Sequence, residues 1–168
     1  MANPFGIEAG LTPPSGMASY HVILHSVPKP HPDFKHYSGV WKPEFGLVKI
    51  LGTSERFLED STASNARRLY EKVKRQLTQI YGTPSEHEFV TSDVWEEDKD
   101  FCFTLENGDR VHASIWEMGS HNLQDDIQKI FLMVNSDDGY ETSTVSLSYD
   151  FPGLEQEAVG DEYGIDSL

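Results

Sequence analysis

The sequence predicts an α+β fold: one antiparallel, mostly meander β-sheet packed on a single long helix at about residues 63–81. Three observations lead there. Ala63–Gly82 is the one stretch with a sustained 3.6-residue period, its apolar residues falling at Ala66, Leu69, Tyr70, Val73, Leu77, Ile80 and Tyr81. The other periodic segments alternate with a period of two, as strands do. Among them, Val145, Leu147 and Tyr149 alternate so cleanly with Thr144, Ser146, Ser148 and Asp150 that one sheet face should be wet, as in antiparallel sheets.

Phe5-Gly6-Ile7 reads as a short apolar anchor against the core, followed by a loop through Pro13-Pro14. Tyr20–Val27 is the first predicted strand, bounded by Pro28. Lys29-Pro30-His31-Pro32 is an extended connector, because each residue before a proline is pushed away from helix. Phe34–Trp41 forms a less regular strand with a break expected at Gly39, and Phe45–Thr53 a strand placed centrally. Asp60, Ser61, Thr62 and Ser64 offer capping oxygens to the helix start, and Gly82 with Pro84 ends it. A short strand is expected at Glu88–Val94. A hairpin is then expected from Phe101–Leu105 and Val111–Trp116 about Asn107-Gly108, with Glu106 paired to Arg110 so that the apolar sets share a face. Strands at Gln128–Val134 and Thr142–Phe151 close the sheet.

A length of 168 residues suits one domain. It is placed at 1–152, with an acidic tail at 153–168 expected to be mobile alone and open to ordering by a partner. No apolar run approaches the roughly 20 residues that cross a bilayer. Met1–Gly6 does not read as a secretory signal. Cys102 is the only cysteine, so no internal disulfide forms, and a cytoplasmic location is expected.

Net charge is −15 and unevenly placed: residues 1–76 hold 10 Lys+Arg against 7 Asp+Glu, residues 77–168 hold 3 against 21. Such acidity repels nucleic acid, whose phosphates need Lys and Arg. It attracts basic partners and speeds their encounter at low salt, and it also keeps a protein soluble. The basic stripe opposite the helix's apolar face, Arg67, Arg68, Lys72, Lys74 and Arg75, is read as running beside acidic strand ends or loops.

Catalytic and ligand motifs are sparse. His21, His25, His31 and His36 lie close in sequence, but two strand steps separate His21 from His25 by roughly 13 Å, too far to share an ion. Gly52-Thr53-Ser54 precedes a loop and a helix without the rest of a phosphate-binding pattern. His112 with Cys102 is the best catalytic pairing on offer, since the expected hairpin places both on one face. Glu96-Glu97-Asp98 with Asp100 is a charge run of the kind that is usually solvated. No catalytic residue, cofactor or metal is expected, and the chain is not expected to be an enzyme.

Phe5-Gly6-Ile7-Glu8-Ala9-Gly10-Leu11-Thr12, Phe45-Gly46-Leu47-Val48-Lys49-Ile50 and the helix end Ile80-Tyr81-Gly82-Thr83-Pro84 resemble a pattern in small bacterial α+β proteins, some of them similar to immunity proteins encoded beside secreted toxins. The match covers about half the chain and departs from the pattern at Pro13-Pro14. Its motifs are structural, a turn, a strand and a helix cap, so no site residue is carried over.

The functional expectation is an acidic binding protein, an immunity or inhibitor protein that neutralises a basic bacterial toxin, for example a nuclease. The partner-binding residues expected are Trp95, Glu96, Glu97, Asp98, Asp100, Trp116 and Glu117, aromatic anchors set in a charged rim. Two alternatives stand beside it: an enzyme of small molecules using His112 and Cys102, and a DNA mimic whose carboxylates copy phosphate spacing.

Overall fold

A computed structural model of the chain describes residues 3–11, 21–91, 100–121, 123, 126–137 and 141–154. Seven strands form one antiparallel sheet: β1 (His21–Leu24), β2 (His36–Lys42), β3 (Gly46–Thr53), β4 (Ser85–Val90), β5 (Arg110–Glu117), β6 (Lys129–Asp137) and β7 (Thr142–Asp150). Their order is β1-β2-β3-β7-β6-β5-β4. Two meanders therefore meet where β7 returns to lie beside β3. That return buries β3 and β7 as the central pair and leaves β1 and β4 at the edges.

The α+β class holds, with a correction to the helical layer. The 18-residue α1 (Ser64–Tyr81) buries Ala66, Leu69, Tyr70, Val73, Leu77 and Tyr81 and packs over β6 and β7. Ile80, read as part of the same stripe, is exposed at its margin. A second helix, α2 (Phe101–Glu106), stands where the first strand of a hairpin was expected. The protein is mostly sheet, and its helical part is not one helix alone.

The reason for α2 is tertiary. A six-residue helix is far too short to hold itself together. Phe101, Cys102 and Thr104 are all buried, a spacing that an alternating strand could not bury on one face. The Cys102 amide donates to Ser61 O at 3.0 Å and its thiol to Asp60 O at 3.0 Å. Arg67 and Arg110 lie over the Phe101 ring, 4.6 and 4.3 Å from its centroid. Asn107-Gly108, read as a hairpin turn, instead ends α2: the Asn107 amide donates to Phe103 O, and Gly108 takes φ +87°. The predicted strand register gives way to one in which Arg110 lies opposite Val90 of β4, with Glu106 in the helix.

One sheet face forms the core. Ile50, Tyr149, Ile130 and Trp116 make one cross-strand row on it, and Gly52, Leu147 and Leu132 the next. The N-terminal anchor lands there too. Phe5 meets Phe34, Tyr37 and Tyr149 edge-on, with centroids 6.0, 4.9 and 5.8 Å away. Gly39 does not break β2. It lies in the strand beside the Trp41 ring, and the irregularity comes at Val40/Trp41.

Of the capping oxygens expected, that of Asp60 meets the start of α1. Ala63 sits at the cap with φ +54° and supplies no side-chain oxygen. The buried Asp60 reaches over it, accepting the Asn65 amide at 3.2 Å and the Ser143 hydroxyl at 2.7 Å. It thus ties the helix start to β7.

Candidate functional site

Two features of the described residues carry chemistry, one on each face of the sheet. On the helix side, a polar cluster fills the space between α1 and the β4–β5 edge. Register places Glu86 opposite Ser114 and Glu88 opposite His112, and all four side chains share the α1 face. Tyr70 donates its hydroxyl to Glu88 at 2.9 Å and accepts from the buried Ser114 hydroxyl at 2.5 Å. Lys74 contacts Glu86 at 2.8 Å, Glu88 at 3.1 Å and Glu71 at 3.6 Å. His112 is wedged between the Tyr70 and Phe101 rings, at 4.6 and 5.4 Å, with Nε2 3.8 Å from Glu88.

Burial and charge compete inside this cluster. Burial alone would raise the Glu88 carboxyl, but hydrogen bonds from Tyr70 and Lys74 outweigh it and hold the group below its ordinary 4.5. Burial would also lower Lys74, and its bonds to Glu86 and Glu88 reverse that and raise it. Burial dominates at Tyr70, whose hydroxyl is pushed well above 10.0. It dominates at His112 as well, pulling the imidazole below 6.5 despite the neighbouring Glu88. At neutral pH the cluster therefore holds an ionised Glu88, a charged Lys74 and a neutral imidazole.

Neither α1 nor α2 covers the opposite face of the sheet, where Ile23 is exposed and Leu51, Phe131 and Ile115 are half-buried. Ile23, Leu51, Phe131 and Ile115 lie along one cross-strand row, with Ser38 and Ser148 between them. Met133 stands in the adjacent row, and Phe89 at the β4 edge is 49% exposed. None of the six belongs to the main core cluster. Charged pairs flank them: Lys49–Asp150 at 3.6 Å and Lys129–Glu117 at 3.7 Å. An apolar centre with a charged rim is the layout of a protein interface.

Three of the expected partner-binding residues lie among those described. Trp95, Glu96, Glu97 and Asp98 lie outside the described residues. Asp100 precedes α2, where its carbonyl accepts the Thr104 hydroxyl at 2.8 Å. Glu117 is exposed on the rim just described. Trp116 is a correction: it is wholly buried, and its indole donates to Gly82 O at 2.7 Å. Its parity on β5 turns it toward the core, so it is no surface anchor.

The Cys102–His112 pairing is also corrected, because the two no longer share a strand face. The thiol is held by Asp60 O, and burial raises it above 9.0, the reverse of an activated nucleophile. Among the described residues, the histidines considered for metal belong to no cluster of three side chains able to share an ion. His21 and His36 sit on β1 and β2, while His31 accepts the Asp33 amide and bonds Gln76 at 3.1 Å. Reading the sequence missed both features, since each joins residues from distant strands. Their signals were Glu86-x-Glu88 and the apolar residues left over on alternate positions of β5 and β6.

No helix among the described residues is long and apolar enough to cross a membrane. Compared with protein-family models, curated proteins and solved structures, the chain has no match.

Proposed function

We propose that this is an acidic protein-binding protein of the cytoplasm, of the immunity or inhibitor type, which captures a basic protein through the face of its sheet that neither described helix covers. The observation that carries the reading is the apolar row Ile23, Leu51, Phe131 and Ile115 on that face of a chain with net charge −15. An apolar row on a face that neither described helix covers is the kind of surface that marks an interaction site. The unbalanced acidity supplies long-range attraction for a cationic surface, and the apolar row supplies contact energy once the two meet. Glu117 on the rim extends the acidic surround.

The test is a comparison of baits. Wild type and a Phe131→Ser/Ile115→Thr double variant are immobilised and exposed to host extract at low and high salt. Expected is a basic protein held by wild type and lost from the variant, with the variant's circular dichroism and melting temperature near those of wild type. Equal retention by a folded variant, or capture of proteins no more basic than the extract at large, would refute the reading.

A further inference from the structure

We propose that Glu71, Glu88 and His112 form a binding site for a divalent transition-metal ion of the zinc class, with Lys74 as its placeholder when no metal is bound. The three residues come from α1, β4 and β5, and each offers one ligand atom, all within 4.8 Å of one another. Zinc bonds of about 2.1 Å put tetrahedral ligands roughly 3.4 Å apart. His112 Nε2 and Glu88 Oε1, at 3.8 Å, are already close to that spacing. Glu71 has the furthest to come and the most freedom to do so, since its side chain is 47% exposed on the helix surface.

His112 supplies the second, independent observation. Its Nε2 is buried and has no hydrogen-bond partner. A buried ring nitrogen left unpaired is costly and calls for an explanation. The Tyr70 and Phe101 rings clamp the imidazole from either side, so that Nε2 points at the carboxylates and stays there. One imidazole with two carboxylates and no thiolate suits zinc and its neighbours in the first transition row, with water completing the shell.

Lys74 makes the site conditional. Its ammonium bridges Glu71 and Glu88 but comes nearest Glu86, at 2.8 Å. An arriving ion displaces it onto Glu86, which keeps it paired. Arg67, four residues before Glu71 and over the Phe101 ring, is a second nearby cation. These two positive charges set the affinity in the micromolar range instead of the nanomolar range of a dedicated zinc centre.

Calorimetric titration of the full chain with zinc chloride in chelator-free buffer tests this, with His112→Gln and Lys74→Met beside wild type. One zinc per chain is expected. His112→Gln should weaken binding at least tenfold, and Lys74→Met should tighten it about tenfold by removing the competitor. Nitrogen NMR of wild type gives a reading that does not depend on how a variant folds: Nε2 of His112 should shift on adding one equivalent of zinc. No saturable binding, binding unchanged in His112→Gln, or a shift confined to other histidines would each overturn the assignment. None of these outcomes bears on the protein partner, which is sought on the opposite face.

Discussion

Replacing Asp60 tests how the helix is fastened to the sheet. Its carboxylate is buried, accepts the Asn65 amide and the Ser143 hydroxyl, and lies at the positive end of α1. In Asp60→Ala, loss of the cap costs about 1 kcal/mol and loss of a negative charge at the helix start about 0.5 kcal/mol. The Ser143 hydroxyl, itself wholly buried, is left unpaired at a further cost of about 1–3 kcal/mol. The sum is about 2.5–4.5 kcal/mol, a large part of the stability of a domain this size. Asp60→Asn keeps an oxygen acceptor and loses only the charge, so it should cost about 0.5 kcal/mol. Urea unfolding followed by circular dichroism measures both. The double variant Asp60→Ala/Ser143→Ala decides the mechanism: with the orphaned hydroxyl gone, it should be less destabilised than the two single losses added, by about 1 kcal/mol. Strict additivity, or a cost of under about 0.5 kcal/mol for Asp60→Ala, would refute the argument.

Tyr70→Phe removes the partner of the buried Ser114 hydroxyl and should cost about 1–3 kcal/mol in urea unfolding, with Ser114→Ala in the same chain recovering part of it. Tyr149 is raised above its ordinary 10.0 mainly by burial. Its folded state therefore holds the proton after the unfolded state has lost it. Stability is intact below pH 10 and falls as pH rises beyond it, by up to about 1.4 kcal/mol per pH unit for this one group. Tyr149→Phe should flatten that alkaline slope in melting curves taken from pH 9 upward. Gly46 has φ +75° and an added Cβ would collide with the Gly10 carbonyl, whereas Gly108, at φ +87°, faces open space. Gly46→Ala should cost about 3 kcal/mol or more and Gly108→Ala about 1–2 kcal/mol by the same measurement.

What the sequence disclosed follows from which forces are local. Periodicity located α1 because Ala66, Leu69, Tyr70, Val73 and Leu77 all face one large neighbour, the sheet. It located six of the seven strands closely, for the same reason on a period of two. It placed β4 about three residues late, because Glu86 and Glu88 look solvated until Lys74 and Tyr70 are seen across from them. It failed at α2, where Cys, Phe and Thr favour a strand and only contacts with Asp60, Ser61, Arg67 and Arg110 select a helix. Trp116 illustrates the limit on sites. A tryptophan beside a glutamate reads as an interface anchor, and only strand parity with Ile130 and Tyr149 reveals that it faces the core.

The charge pattern acquires a different meaning once the chain is folded. Two of the helix cations are not free: Lys72 meets Asp33 at 2.6 Å and Lys74 is surrounded by three glutamates. Exposed pairs of this kind contribute well under about 1 kcal/mol each, so their larger effect is on the field outside. They engage positive charge from the first half of the chain, and two of the three cations after residue 76 are engaged as well. Arg110 donates to Thr104 and covers Phe101, while Lys129 lies by Glu117. Beyond residue 76, an approaching molecule therefore meets acid whose described cations are already engaged. Exposed charge of this kind governs how fast a partner arrives and how salt alters that rate, whereas buried apolar contact governs how slowly it leaves. The two halves of the proposed interface thus act on different rate constants, with the carboxylates drawing a basic surface in and Phe131, Ile115 and their neighbours holding it.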